Sequence, residues 1–285
     1  MSENPPIISI LTDFGDADAF VGTMKGVMLN IAPHAQLVDL TNLIPPQDVR
    51  QAAFILMTAA PYFPEDTVHL IVVDPGVGST RRAIAVQTPH ARYVAPDNGV
   101  LTYALAGVER YTAVELANPK YQLPVVSTTF HGRDIFSPAA AHLAAGVPLE
   151  ELGPVLDSIV RLDAPHLVVG EDRVEGEVVR VDHFGNLRTS IHFLDWHESD
   201  TIRLRPMLAP AEGDAEVSFS ASRTHVSTGP LTIHGVSATF SSVQTGQPVA
   251  FVGSENALEI AVNQGNAARE FDIDVGDRVT LTLDH

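Results

Sequence analysis

The chain of 285 residues contains no cysteine, and this absence excludes a whole group of sites. Disulfide bridges, zinc sites with thiolate ligands, iron–sulfur clusters held by cysteine and a cysteine nucleophile all require the missing thiol. Any catalytic chemistry must therefore use side chains other than thiols.

Basic residues are also scarce, since 17 Lys and Arg stand against 35 Asp and Glu, for a net charge of −18 at pH 7. This field would repel a nucleic-acid backbone, and no segment rich in Lys or Arg provides a local exception. We therefore expect no nucleic-acid partner. The same field favours a cationic ligand, although acidic surfaces also serve solubility alone.

Long apolar runs are missing as well. No stretch approaches the ~20 apolar residues that a membrane span needs. The opening segment MSENPPIISILTDFG has neither the basic start nor the long apolar core of a secretory signal. We expect a cytoplasmic protein with no membrane partner.

Three familiar signatures are absent from the sequence: a G-x-G-x-x-G opening a helix, the P-loop GK[ST] and the nucleophile elbow G-x-S-x-G. Nicotinamide, nucleoside-triphosphate and acyl-enzyme chemistry are all disfavoured by these absences.

The residues that are present predict two domains. Up to about residue 160, apolar runs such as IISILTDF, AQLVDLT and VHLIVVD alternate with helical patterns such as AFVGTMKGVMLNIA and VRQAAFILMTAAPYF. The segments AIAVQT, RYVAPD, GVLTYALA and SPAAAHLAAG are predicted to continue this alternation, which is typical of βαβ units. Residues 1–160 are therefore predicted as an α/β domain with a mainly parallel sheet flanked by helices.

Beyond about residue 170 the pattern changes to short alternating runs such as EGEVVRVDHF, LRTSIHF and RVTLTL, divided by Gly, Pro, Asp and Asn. This predicts an all-β C-terminal domain over residues 170–285. The connection between the domains is placed at residues 157–170.

The segment VVDPGVGSTRR carries Asp74 and Arg81 in a glycine-containing turn after the apolar strand HLIVV. In open α/β sheets, ligands gather at the carboxyl ends of strands, so this acid and guanidinium are candidates for chemistry. A capping loop without function is the alternative.

The segment LTDFGDADAF places Asp13 at the end of the first predicted strand and Asp18 just before a helix that begins near Phe20. A carboxylate in the position of Asp13 can accept hydrogen bonds from both hydroxyls of a ribose. Asp18 is placed to cap the helix. A calcium loop fits poorly, because the alternating oxygen ligands, central glycine and terminal glutamate are missing.

The segment TFHGRDIF places His131 on a glycine-containing loop before an alanine-rich helix, where the imidazole could reach a crevice. A structural histidine is the alternative. Zinc is not expected, because no second histidine stands three or four positions away. Arg133 and Asp134 are predicted to form a structural ion pair.

In the β region, VDHFGN offers Asp182, Phe184 and Asn186 around a glycine. The pattern fits a hairpin turn, and it also fits a purine site in which an aromatic face stacks on the base and an amide bonds its edge. The segment GSENALEIAVNQGNAA, residues 253–268, is open to the same two interpretations.

Six segments in order, LTDFGDADAFVG, VVDPGVGSTRRAIAV, APDNGVL, TFHGRDIFSPAAAHLA, VDHFGN and GSENALEIAVNQGNAA, resemble the S-adenosyl-L-methionine hydroxide adenosyltransferase family over nearly the whole chain. The resemblance implies that S-adenosyl-L-methionine and water give adenosine, L-methionine and a proton. It implies no metal or redox cofactor. It also implies an N-terminal α/β domain, a C-terminal β domain and a homotrimer with sites between the N domain of one subunit and the C domain of the next.

The resemblance also implies roles for individual residues. The water-activating triad falls on Asp74, Arg81 and His131, and the ribose-binding carboxylate on Asp13. The remaining substrate-binding positions fall on Asp18, Asp182, Ser254 and Glu255 for the methionine portion, and on Phe184, Asn186 and Phe240 for adenine.

The chain differs from the halogenating relatives, fluorinase and chlorinase, at several of these positions. They resemble this chain but carry tyrosine where Asp74 stands, a small residue near His131 and a long insertion before YVAPDNG. An anionic Asp74 would repel a halide and can accept a hydrogen bond from water. Glu255 and Val262 stand where the halogenases carry arginine, so the methionine carboxylate needs other hydrogen-bond donors in this chain. Gln47 stands where the halogenases carry tryptophan.

Three alternatives stay open on the sequence alone. One is a halogenase, another is a non-catalytic module that binds adenosine or S-adenosylmethionine, and the third is a metal-dependent phosphoesterase that uses Asp13, Asp74 and His131. The intact triad argues against a binding module, which would have no need of it.

Overall fold

The computed structural model describes residues 5–205 and 217–283. The chain divides into two compact units between Leu162 and Asp163, and the predicted connection at residues 157–170 spans this division. No helix among the described residues is long and apolar enough to cross a membrane.

The first unit is an α/β structure around one six-stranded sheet with the strand order β2-β1-β3-β5-β4-β6. Its strands are β1 (Ile7–Thr12), β2 (Gln36–Thr41), β3 (Thr67–Val72), β4 (Ala83–Gln87), β5 (Ala91–Pro96) and β6 (Thr112–Glu115). Its α-helices are α1 (Phe20–Ile31), α2 (Val49–Ala59) and α3 (Ser137–Ala144).

The sequence predicts a mainly parallel sheet, and the observed sheet is mixed, with three parallel and two antiparallel pairings. β1 pairs in parallel with β2 and β3, and β3 with β5, but β4 is antiparallel to both β5 and β6. The segments AIAVQT and RYVAPD therefore form a hairpin and do not continue the βαβ alternation. Only three residues separate β4 from β5, while a parallel crossover needs a dozen or more. The segment GVLTYALA forms consecutive turns.

Apolar cores cover both faces of this sheet. On one face Met24 and Met28 of α1 pack with Phe136, the residue before α3, and on the other Ala52 and Leu56 of α2 face the sheet. Every residue of the central strand β3 is buried, as the continuous apolar run predicts for a strand covered on both sides. The functional side chains that follow β1 and β3 are thus held by a rigid, doubly covered sheet.

The second unit is largely antiparallel β-structure, with an eight-stranded and a three-stranded sheet in its described residues. The strands are β7 (Val168–Val169), β8 (Arg173–Val181), β9 (Leu187–His192), β10 (Leu194–Glu198), β11 (Thr201–Leu204), β12 (Val217–Ser220), β13 (Thr224–Thr228), β14 (Leu231–His234), β15 (Pro248–Val252), β16 (Ala257–Val262) and β17 (Arg278–Leu283). The predicted all-β character needs one correction, because residues Ala267–Phe271 form a short helix, α4, capped by the side chain of Asn266.

Candidate active site

Asp74 and Arg81 form an ion pair at the carboxyl end of β3. Arg81 Nε donates to Asp74 Oδ1 at 2.8 Å and to Oδ2 at 3.0 Å, and Arg81 Nη2 also donates to Oδ2. The side chain of Asp74 is only 5% exposed and that of Arg81 only 10%. The turn predicted from VVDPGVGSTRR therefore contains a guanidinium that lies along the carboxylate and is shielded from water.

The guanidinium of Arg81 also contacts His131. Arg81 Nη2 lies 3.0 Å from His131 Nδ1, and the guanidinium carbon lies 5.1 Å from the centre of the Phe136 ring. The predicted loop around His131 needs a correction, because the residue stands immediately before a π-helical turn, Gly132–Phe136, that continues into α3. Such turns are frequent at functional sites, and this one fixes the imidazole more firmly than a loop would.

Asp13 follows β1 in the same way that Asp74 follows β3, as the sequence predicts. Its Oδ2 accepts a hydrogen bond from the backbone N–H of Gln47 at 2.8 Å. Gln47 has a φ of +69°, a backbone conformation that residues other than glycine rarely adopt. The carboxylate of Asp13 is therefore held by a strained backbone position, which is typical of functional sites.

One cavity of about 380 Å³ brings Asp13, Asp74 and His131 together. It is also lined by aromatic side chains that the sequence analysis missed, namely Phe14, Phe20 and Phe130. These three rings pack on one another with centroids 5.3 to 5.9 Å apart. The sequence could have indicated these phenylalanines as lining residues, since each lies within two residues of a predicted site residue or helix start.

Two further predictions in this unit can be decided. Asp18 does not cap α1, because Ala19 is the N-cap residue and no side chain caps the helix. Asp18 also lies outside the lining of the cavity. The structural ion pair of Arg133 and Asp134 is confirmed, with Arg133 Nε donating to Asp134 Oδ1 at 2.6 Å.

The carboxylate of Asp74 is already paired with a cationic side chain. Among the described residues, no group of three or more His, Asp or Glu side chains is arranged to hold a metal ion. Both carboxylate oxygens of Asp74 accept hydrogen bonds from Arg81, so a fixed positive charge already occupies the place of a cation. This geometry weighs against the metal-dependent phosphoesterase.

In the second unit, residues 182–186 form the hairpin turn between β8 and β9, as one of the two interpretations predicts. Asp182 Oδ1 accepts from the backbone N–H groups of Phe184 and Asn186 at 2.8 and 2.9 Å. Asp182 Oδ2 accepts from Asn186 Nδ2 at 2.8 Å. Asp182 thus orders the turn, and the amide of Asn186 is oriented with its oxygen left for another donor.

Two cavities meet at this turn, because Phe184 and Asn186 line both of them. The larger, of about 490 Å³, brings these two residues together with Phe240, which are the three positions predicted to contact adenine. Phe184 is 70% exposed, so its ring is available for stacking. The structure therefore allows the hairpin and the binding interpretation at once.

The smaller cavity, of about 250 Å³, is lined by Asp182 and Glu255 among the residues predicted for the methionine portion, and Ser254 lies outside both linings. Three of its charged residues, Arg180, Arg188 and Glu259, are not among those predicted from the sequence. Arg180 stands two positions before Asp182 on β8, and this nearness to the VDHFGN motif is the only feature of the sequence that points to it.

Two domain models cover most of the chain. The N-terminal domain of the SAM hydroxide adenosyltransferases matches residues 8–153, and the C-terminal domain matches residues 176–280. The chain belongs to the SAM hydroxide adenosyltransferase family. The family predicted from the six segments is therefore confirmed.

The hydrolase and fluorinase relatives differ in how similar their sequences are to this chain. A protein of Salinispora tropica named (R)-S-adenosyl-L-methionine hydrolase is 40% identical over 283 residues, which are 97% of this chain and 98% of the relative. A fluorinase of an Actinoplanes species is 30% identical over 308 residues and covers 97% of both chains. An uncharacterized conserved protein of Thermotoga maritima, known from a crystal structure, is 37% identical with a TM-score of 0.84, over 96% of this chain and 99% of its own. The hydrolase is thus more similar than the fluorinase.

Proposed function

We propose that this protein hydrolyses (R)-S-adenosyl-L-methionine with water to adenosine, L-methionine and a proton. The observation that carries the proposal is the guanidinium of Arg81, which joins Asp74 and His131 beside a cavity that Asp13 also lines. The (R) configuration at sulfur comes from the name of the relatives at about 40% identity.

The reaction is an in-line displacement at the ribose C5′. The C5′–S bond breaks and its electron pair stays on the thioether sulfur, so the leaving group needs no acid. A C5′–O bond forms from water, which must lose a proton. A free carboxylic acid and water differ by about 12 pKa units, or roughly 16 kcal/mol, so a carboxylate alone does not produce hydroxide. Proton loss must accompany C–O bond formation in a site where charge is stabilised.

The three residues divide this task. Asp74 accepts the proton of the attacking water, and the positive charge of Arg81 offsets the negative charge that develops on the nucleophile. Because Arg81 donates to Nδ1 of His131, the neutral imidazole carries its proton on Nε2. That N–H donates to the water oxygen and fixes its position, while a second lone pair of the oxygen attacks C5′.

Substrate binding is divided among the three cavities. Asp13 binds the ribose hydroxyls, and the adenine lies against Phe184, Asn186 and Phe240. The methionine portion is bound by Asp182 and Glu255, together with Asp18 and Ser254 as the resemblance implies. The substrate is a sulfonium cation, which suits both a chain of net charge −18 and the aromatic faces beside Asp13.

We also propose a homotrimer that needs no metal or redox cofactor. Each site would combine the α/β unit of one subunit with the β unit of its neighbour, as the family resemblance implies. Support comes from the separation of the proposed roles, with water activation in the first unit and adenine contacts in the second.

The experiment that tests the function is turnover of S-adenosyl-L-methionine in ¹⁸O-labelled water. Hydrolysis at C5′ places the label in the 5′-hydroxyl of adenosine and leaves L-methionine unlabelled. Parallel reactions with added chloride or fluoride test the halogenase alternative, which would give a 5′-halogenated nucleoside. A halogenated product would replace the proposal by that alternative, and tight binding without turnover would favour the binding module.

A further inference from the structure

A row of three charged residues crosses the wall of the smaller cavity in the second unit. Arg180 of β8 lies opposite Arg188 of β9, and Arg188 lies opposite Glu259 of β16. The pairing of β8 with β9 is irregular between Val178 and Arg180, as in a β-bulge. Bulges re-aim side chains and are frequent beside active sites.

The charge of Arg188 is already compensated. Arg188 Nε and Nη2 donate to Glu259 Oε1 at 3.1 and 2.5 Å, and Nη1 donates to Glu255. The side chain of Arg188 is 13% exposed, so these bonds lie largely out of water. Two carboxylates of the cavity are therefore used to hold one guanidinium.

Arg180 has no such partner. Its Nε is buried without a hydrogen-bond partner, and no ion pair joins it to a carboxylate among the described residues. Burial lowers the pKa of Arg180 and the charge of Arg188 lowers it further, while the nearby carboxylates of Asp182 and Glu259 raise it. Like charges placed directly opposite on paired strands destabilise a sheet, and a guanidinium removed from water needs an anion. Arg180 is thus attracted by two carboxylates at a distance, but its buried Nε–H still needs a hydrogen-bond acceptor in the cavity.

The surroundings of Arg180 point to the kind of anion. Glu255 and Asp182 line the same cavity, so it presents both signs of charge within about 250 Å³. A simple anion would be repelled by the carboxylates, whereas an α-amino acid carries a carboxylate and an ammonium group together. Phe184 and Asn186 connect this cavity with the one proposed for adenine.

We propose that Arg180 binds the α-carboxylate of the methionine portion, so that this cavity recognises an α-amino acid zwitterion. The inference rests on the proposed function, and it supplies the donor that the substitutions at Glu255 and Val262 leave open. Arg180 satisfies the carboxylate with two parallel N–H bonds, and the ammonium group faces the acidic side of the cavity.

The test compares two substrates in two proteins. Full-length wild type and Arg180→Gln are assayed with S-adenosyl-L-methionine and with its decarboxylated form, which lacks only the α-carboxylate. We expect wild type to lose about 10- to 100-fold in kcat/KM when the carboxylate is removed, and Arg180→Gln to treat the two substrates nearly alike. Arg173→Gln, on the same strand with a 64% exposed side chain, is the matched control and should keep the wild-type ratio.

Two further measurements keep the outcomes distinct. Arg180→Gln should unfold at the same temperature as wild type or higher, since it removes a repulsion. Calorimetry should show L-methionine binding weakened about 10- to 100-fold, with adenosine binding unchanged. Turnover with an unchanged substrate ratio in the variant would overturn the role of Arg180, as would a destabilised variant that loses both substrates equally. Binding of L-methionine through Arg180 without turnover would instead overturn the proposed function and leave the carboxylate site standing.

Discussion

Arg81 and His131 are joined by a contact that fixes the imidazole tautomer, because Arg81 Nη2 lies 3.0 Å from His131 Nδ1. A guanidinium has no acceptor, so Nδ1 must accept and the neutral ring carries its proton on Nε2. The other ring nitrogen, Nε2, is therefore a hydrogen-bond donor. Under the proposed mechanism the ring orients water, and the carboxylate of Asp74 takes the proton.

If His131 acts as a hydrogen-bond donor, two variants of this residue should differ in activity. The amide of His131→Gln can place an N–H near the position of Nε2, so it should retain much more activity than His131→Ala, whose kcat should fall by about 10²-fold. Steady-state kinetics of both variants measure the difference. Equal losses would show that the imidazole itself takes the proton, and ¹⁵N NMR of the wild-type ring should independently report the Nε2–H form.

In the proposed mechanism Asp74 and Arg81 act in the chemical step, so their loss should appear in kcat. Asp74→Ala and Arg81→Ala should each lower kcat by about 10²-fold or more, while the dissociation constant for S-adenosyl-L-methionine changes little. Arg82→Ala is the matched control, because Arg82 is bonded to Asp97 and does not line the cavity. Near-normal turnover by Asp74→Ala would contradict the mechanism.

The trimer proposal predicts that two inactive variants restore activity when they assemble together. Asp74→Ala disables the first unit and Asn186→Ala the second, so every mixed trimer with sites between subunits contains one intact site of its three, or roughly a third of the wild-type activity. Co-expression with differently tagged subunits, followed by assay of the doubly purified protein, measures this recovery. Asp74→Ala mixed with Arg81→Ala should recover nothing, since both changes lie in the same unit. A site built within one subunit would give no recovery in either mixture.

How far the sequence predicts this site depends on what each residue needs from the rest of the fold. Asp13 and Asp74 could be predicted, because the carboxyl ends of parallel strands meet at one edge of a sheet. Arg180 could not, since its importance comes from strand register and from the compensation of Arg188 by residues about 70 positions further on. Asp18 was assigned wrongly as a cap because its residue type favours capping, whereas the backbone makes Ala19 the N-cap.

Two buried histidines should make the protein sensitive to acid. Burial lowers the pKa of His69 to about 4, and burial together with the charge of Arg188 lowers the pKa of His192 to about 4, from 6.5 in both cases. Between these values the unfolded chain binds more protons than the folded one, so the free energy of unfolding falls as pH falls from 6.5 towards 4. Each histidine should account for about 2 kcal/mol between pH 7 and pH 5.

Urea unfolding at pH 7 and pH 5 measures this dependence, with Trp196, the one tryptophan of the chain, reporting on the second unit and circular dichroism on both. His69→Gln keeps a hydrogen-bonding group near Ser9 and does not titrate, so it should reduce the pH dependence of the first unit. His34→Gln changes an exposed histidine and should leave it unaltered. An undiminished dependence in His69→Gln would assign the acid sensitivity to other groups.

Gly78 couples the two halves of the triad through the backbone. It has a φ of +76°, and a Cβ at this position would lie 2.4 Å from the carbonyl oxygen of Thr128, three residues before His131. Gly78→Ala should therefore push the turn that carries Arg81 away from His131, and lower kcat by about 10-fold or more in a protein that still folds.

Gly146→Ala separates this effect from backbone strain alone, because Gly146 has a φ of +91° but no atom within 4 Å of the added carbon. That control should lose about 1 kcal/mol of stability and keep its activity. If Gly78→Ala matched the control in both kcat and thermal unfolding, the Arg81–His131 contact would not depend on this close approach.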